Sequence, residues 1–171
     1  MHKKGSIALL SIVACAAVAL AQRQTAHWKE YVFAEDGFAI TLSEAPNPHS
    51  DANIADMTVY TVSVTPKTML TLRVSHQYRD CSSTLEQLRS GASQGKSGIH
   101  STSVRDVSIE GHPGLEYQWK REGGLTAADR FYCVNGRFYS FSTSWPSGQP
   151  EPEGARQAVD SFRLLPANGR K

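Results

Sequence analysis

The sequence predicts an α+β fold: an antiparallel sheet of about six or seven strands flanked by helices, an α/β/α sandwich. Three observations predict it. Short apolar runs alternate with period two along most of the chain, the spacing that turns one side of a strand to a core. Turn signals separate those runs, among them Asp36-Gly37, Gly123-Gly124 and Asn135-Gly136. Two further stretches, one mid-chain and one near the C-terminus, carry apolar residues at helical spacing instead.

The first strand comes after Asp36-Gly37, where Phe38, Ile40 and Leu42 alternate with Ala39 and Thr41. The stretch from Glu44 to Asp51 contains Pro46 and Pro48 and reads as a loop. Tyr60, Val62 and Val64 form the next alternating run, which Pro66 ends. Leu70, Leu72, Val74 and His76 line the one after it, and the short turn Thr65-Pro66-Lys67-Thr68 makes these two a hairpin.

A helix follows. Ser83 stands three residues before Glu86, the capping-box spacing, and Leu85, Leu88 and Ala92 make its apolar stripe before Gly91, Gly95 and Gly98 dissolve it. From Val104 onward the chain reads as strands. Val107 and Ile109 alternate, Gly111-His112-Pro113-Gly114 turns, and Leu115, Tyr117 and Trp119 return. Asn135-Gly136 is the strongest hairpin signal, because both residues tolerate positive φ; it sets Cys133 opposite Phe138 and Tyr132 opposite Tyr139. Tyr139, Phe141, Thr143 and Trp145 share one face, so both faces of this hairpin are partly apolar and need cover. Pro152 suits a first helical position, and Ala155, Val159 and Phe162 then fall on one stripe.

The ends of the chain divide it into a leader at 1–21, one domain at 22–165 and a polar tail at 166–171. His2, Lys3 and Lys4 precede an uncharged run to Gln22 that closes in Ala19-Leu20-Ala21, the small-x-small pattern a signal peptidase cuts after. The expectation is export to the periplasm or the extracellular space. An alternative is a lipoprotein acylated at Cys15, which ends Ile12-Val13-Ala14-Cys15; the residues after it stay apolar, whereas a lipidated cysteine is normally followed by polar chain. Membrane attachment is expected only in that case.

Cleavage after Ala21 leaves 150 of the 171 residues, enough for one domain with its own core. It removes two lysines and no acid, so the mature chain carries 16 basic and 16 acidic side chains. A neutral, interspersed surface has no basic field for nucleic acid. Two cysteines remain, Cys81 and Cys133, and the oxidising compartment makes a disulfide between them the expectation. Closing a loop of about fifty residues would contribute on the order of 3–4 kcal/mol in the chain-entropy model. Two buried free thiols are the alternative.

Catalytic signatures fail one by one. In Ser90-Gly91-Ala92-Ser93-Gln94-Gly95-Lys96-Ser97 the closing Gly-Lys-Ser suggests a phosphate loop. Only three residues separate Gly91 from Gly95, where that loop needs four, and a helix precedes the segment instead of following it. No nucleotide and no cofactor is therefore expected. His27, His49, His76, His100 and His112 lack metal-ligand spacing, no GxSxG elbow places a nucleophilic serine, and adjacent Glu35 and Asp36 read as turn residues. The aromatic set Tyr117, Trp119, Tyr132, Tyr139, Phe141 and Trp145 reads as core, with a ligand groove as the other reading.

Taken together, Gly37 to Leu42, Val107 to Tyr117, Arg137 to Pro146 and Ser161 to Leu164 resemble the PsbP-like superfamily in pattern, over most of the mature chain. Members include an extrinsic subunit of photosystem II, a Ran-binding import factor and many bacterial exported proteins. The resemblance implies an accessory or binding protein and carries over no binding residue; the cysteine pair is not one of its hallmarks. The functional expectation is a non-catalytic exported binding or assembly module of the bacterial cell envelope, holding an unidentified protein or small ligand. Asn47 to Ile54 and Trp145 to Glu153 are its candidate contact loops. The alternative is a small-ligand carrier or an envelope hydrolase with a pocket.

Overall fold

The computed structural model describes residues 27–50, 56–76, 80–93, 99–121 and 123–166. The leader, with Ala19, Ala21 and Cys15, lies outside them, as do Gly95-Lys96-Ser97 and the tail beyond Pro166. The elements are β1 (Lys29–Phe33), β2 (Phe38–Leu42), β3 (Asn47–Ser50), β4 (Met57–Thr65), β5 (Thr68–Ser75), α1 (Cys81–Ser93), β6 (Ile99–Ile109), β7 (His112–Arg121), β8 (Leu125–Val134), β9 (Arg137–Pro146), α2 (Glu153–Asp160) and β10 (Arg163–Leu164). Seven strands form one antiparallel sheet in the order β3-β4-β5-β9-β8-β7-β6, and a small sheet has the order β1-β2-β10.

A helix lies on each face of the large sheet, but α2 shares its face with a second, small sheet, so the layering is not a simple α/β/α sandwich. One face of the large sheet packs on the small sheet together with α2; α1 lies on the other, over β6, β7 and β8. Size explains this. The eight residues of α2 make a rod about 12 Å long, whereas seven strands span about 29 Å. The small sheet supplies the missing cover through Tyr31, Phe33, Phe38, Ile40 and Leu42.

Two cores result. The larger joins Phe38, Ile40, Tyr60, Leu72, Phe141 and Phe162 between the layers. Phe162, directly after α2, has ring centroids 5.4, 6.1, 5.3 and 4.8 Å from those of Phe38, Tyr132, Tyr139 and Phe141. The smaller core sets Leu115, Phe131, Cys133 and Phe138 beneath Leu85 and Leu88 of α1. Both faces of the β8–β9 hairpin are therefore covered, and its register pairs Cys133 with Phe138 and Tyr132 with Tyr139, as the Asn135-Gly136 turn predicts. Those turn residues have φ of +49° and +78°.

Several boundaries differ from the sequence expectation. Within Glu44–Asp51, Asn47–Ser50 forms strand β3; it is an edge strand, the place in a sheet where a proline such as Pro48 is tolerated. The β6–β7 turn is Glu110-Gly111, with φ of +48° and +83°, and His112, Pro113 and Gly114 already belong to β7. Helix α1 starts at Cys81 because Asp80 caps it: Asp80 Oδ1 accepts the Ser83 N–H at 3.0 Å. Ser83 is thus the capped third residue and not the cap. Pro152 is the N-cap of α2, just outside the helix.

Gly114 is the position in β7 where only glycine fits. A methyl group on its Cα would run into the Phe131 carbonyl oxygen and the Tyr132 ring of the neighbouring strand. Gly114→Ala should lower the urea midpoint by the equivalent of about 1–3 kcal/mol, the cost of overpacking a closed core. A midpoint shift within error would show that β7 and β8 separate freely at that pair.

Candidate functional site

Three polar constellations stand out, and each is built by strand register. The first buries Asp36. Its carboxylate accepts the Tyr60 hydroxyl and lies 2.9 Å from His76 Nε2, while its backbone carbonyl accepts the Tyr139 hydroxyl at 2.7 Å. Burial, then the Asp36 hydrogen bond, push the Tyr60 phenol far above the ordinary tyrosine range. This cluster pins the β1–β2 turn onto β4, β5 and β9.

The second crosses the inner face. Glu116 is 7 % exposed in β7 and is clamped by Arg105 Nε of β6 at 2.7 Å and Arg130 Nε of β8 at 2.6 Å. Arg130 Nη1 reaches on to Asp160 Oδ1 at 2.9 Å, which ties the C-terminal end of α2 to the sheet. Both oxygens of the buried carboxylate are satisfied, so the network is structural.

The third lies on the outer face, beside the area α1 covers. Trp119 Nε1 donates to Asp129 Oδ2 at 2.5 Å, and Asp129 also bonds the Ser142 side chain, with Arg73 close by. Burial holds the Asp129 carboxyl above the ordinary range, offset in part by the Ser142 and Trp119 hydrogen bonds and then by the Arg73 charge. Register aligns hydroxyl side chains with it: Thr61, Thr71 and Ser142 lie in one row with Asp129. Ser63, Met69, Ser144, Ala127 and Trp119 form the next. Met69 is 53 % exposed and Leu125 42 %.

The direction at Asp129 gives a sign. In the unfolded chain the group loses its proton near pH 4; in the folded chain the proton is held to higher pH. Stability attached to this group is therefore lost as pH rises through that window. Asp129→Asn has no such titration and keeps an oxygen for Trp119, so its urea midpoint should gain on the parent's between pH 3 and pH 7. A shift the other way would mean that Arg73 and the hydrogen bonds outweigh burial.

The residues singled out in the sequence distribute as follows. Cys81 opens α1, and Cys133 is buried in β8 on the face that α1 covers. Tyr132, Tyr139, Phe141 and Trp145 are core, whereas Tyr117 and Trp119 are partly exposed on the outer face. His76 enters the Asp36 cluster; His27 and His49 are exposed. Glu35 stays exposed in the β1–β2 turn while Asp36 turns inward. At the end of the molecule where the β1–β2, β6–β7 and β8–β9 turns meet, Glu35, Glu110, His112 and Arg137 border an open cavity of about 770 Å³. Asp129 went unnoticed in the sequence. Its signal was a carboxylate at the same strand phase as the apolar series Ala127, Phe131 and Cys133.

This arrangement defines a class: the fold is PsbP-like. Cyanobacterial PsbP (CyanoP) from Synechocystis sp. PCC 6803 aligns with 89 % of this chain and 98 % of its own, with a TM-score of 0.56 at 10 % identity. A Bacteroides thetaiotaomicron protein aligns with 81 % of this chain at a TM-score of 0.51 and 10 % identity; the aligned part is 49 % of that protein. Likeness at this identity concerns the fold alone. No family model matches the sequence, and no curated protein matches it. Among the described residues, no helix is long and apolar enough to cross a membrane.

Proposed function

We propose that this is a non-catalytic, exported binding module of the bacterial cell envelope, which holds its partner on the outer face of the large sheet. The observation that carries the reading is that face itself. Helix α1 covers only one end of β6 to β8, and the area beside it presents exposed Met69 of β5 and Leu125 of β8 among hydroxyl side chains on β4, β5 and β9. The Asp36 and Glu116 clusters tie the β1–β2 turn and α2 to the sheet, whereas the Asp129 cluster shares its face with exposed Met69 and Leu125. Export rests on the leader pattern. The Cys81–Cys133 disulfide is part of the reading, supported by the place of Cys81 at the start of α1 and by the burial of Cys133 on the face that α1 covers.

A photo-crosslinking residue at Met69, expressed in the host, tests the partner face. The expected outcome is a crosslinked species in the envelope fraction from Met69 and none from Val32, which is 58 % exposed on the small sheet. Intact mass of the recovered chain should begin at Gln22 and be two hydrogens lighter than its reduced form. Equal crosslinking from both positions, or an uncleaved chain in the cytosol, overturns the reading. The small-ligand carrier has the turn-end cavity in its favour; it requires Arg137→Ala, not a change on the sheet, to abolish binding.

A further inference from the structure

We propose that the outer face binds a glycan: a neutral, polyhydroxylated chain lying across β9 and β8 against Trp119. This rests on the binding-module reading above and names its ligand class.

The register supplies the platform. Trp119 pairs with Ala127, yet its Nε1 reaches Asp129, two residues along the neighbouring strand. The indole therefore leans along β8 from Ala127, its register partner, which is itself 2 % exposed. The bond to Asp129 keeps the ring from swinging. Trp119 remains partly exposed, and its indole is a flat, electron-rich surface of the kind that attracts the polarised C–H groups on one side of a sugar ring.

The surroundings supply polar partners at a matching scale. Thr71, Ser142 and Asp129 are successive across three strands, so they span about 10 Å, roughly the length of two sugar rings. Each hydroxyl can donate once and accept twice, Asp129 accepts and Arg73 donates. A ligand bristling with hydroxyls can bond to such a mixture in either sense.

Charge and polarity select against other occupants. Asp129 and Arg73 offset each other, so the patch has no cation excess for a phosphate backbone. A protein partner wants an apolar, fully desolvated centre with a polar rim. Here the order is reversed, with Ser142 and Asp129 central and Met69 and Leu125 outside them.

The test uses the mature chain with chitotetraose, cellotetraose and maltotetraose as soluble probes and purified peptidoglycan sacculi as an insoluble one. At least one probe should bind, shift the tryptophan emission and lose at least tenfold in affinity with Trp119→Ala. Trp119→Phe, which keeps a flat ring, should recover part of that loss. Ser144→Arg, on the same face but away from the Asp129 hydrogen bonds, should weaken binding if Trp119→Ala does not fold. Val32→Ala, on the small sheet, should leave it unchanged. Binding by no probe, or binding by both Trp119→Ala and Ser144→Arg as tight as the parent's, overturns the glycan. If crosslinking from Met69 still succeeds in that case, the face keeps its role and only the ligand class falls; if both fail, the binding-module reading falls with it.

Discussion

Phe162→Ala should cost about 3–5 kcal/mol, the range for truncating a well-packed buried aromatic and a large part of the stability of a domain this size. The ring is 6 % exposed and touches four other aromatic rings drawn from three strands. Phe38 belongs to the small sheet, Tyr132 and the pair Tyr139 and Phe141 to the large one, so the side chain fills the junction between layers. Strands hydrogen-bonded along their length cannot close in on the space it leaves. Phe162→Leu, which keeps most of the volume, should cost below about 1.5 kcal/mol. Urea melts of the three proteins decide the matter. A loss under about 1 kcal/mol for the alanine variant would mean that α2 slides inward and the junction is soft.

Phe162 also shows what a sequence can reveal. Its place on a stripe with Ala155 and Val159 is local information at helical spacing, and all three are buried as expected. The β8–β9 register was legible for the same reason: Asn135-Gly136 fixes the pairing of its immediate neighbours. Strand β1 was missed because Lys29, Glu30, Tyr31, Val32 and Phe33 carry no clean alternation, and β10 because two residues make no pattern. Both strands exist through pairing with β2, and β10 lies more than a hundred residues from it in the chain. The Asn47–Ser50 strand was hidden by proline, which forbids a central strand but not an edge. At the outer face, Trp119 and Asp129 are ten residues apart on two strands. Their contact follows only once the β7–β8 register is known, since a one-residue slip would turn one of them to the other face.

Asp36→Ala should be the other severe substitution, at about 3 kcal/mol or more, because it strands a buried partner instead of removing an isolated group. Asp36 is 5 % exposed and answers the Tyr60 hydroxyl and His76 Nε2 with one carboxylate. Without it, a phenol in the larger core has no acceptor, and burial keeps that phenol from ionising as an escape. The next residue adds to the loss. Gly37 takes φ of +73° beneath the Arg137 guanidinium, and its carbonyl accepts the Leu165 N–H at 2.9 Å, so the turn, β9 and the chain after β10 move together. Asp36→Asn keeps an acceptor for Tyr60 and should cost about half as much. Tyr60→Phe removes the donor, so combining it with Asp36→Asn should cost less than the two alone by about 0.5–3 kcal/mol, the coupling typical of groups in contact. Additive losses in that double-mutant cycle would separate Asp36 from Tyr60 energetically and leave the turn backbone as the source of the effect. Measured coupling would place the anchor of the small sheet in this one carboxylate, a residue that looks from the sequence like an ordinary turn aspartate.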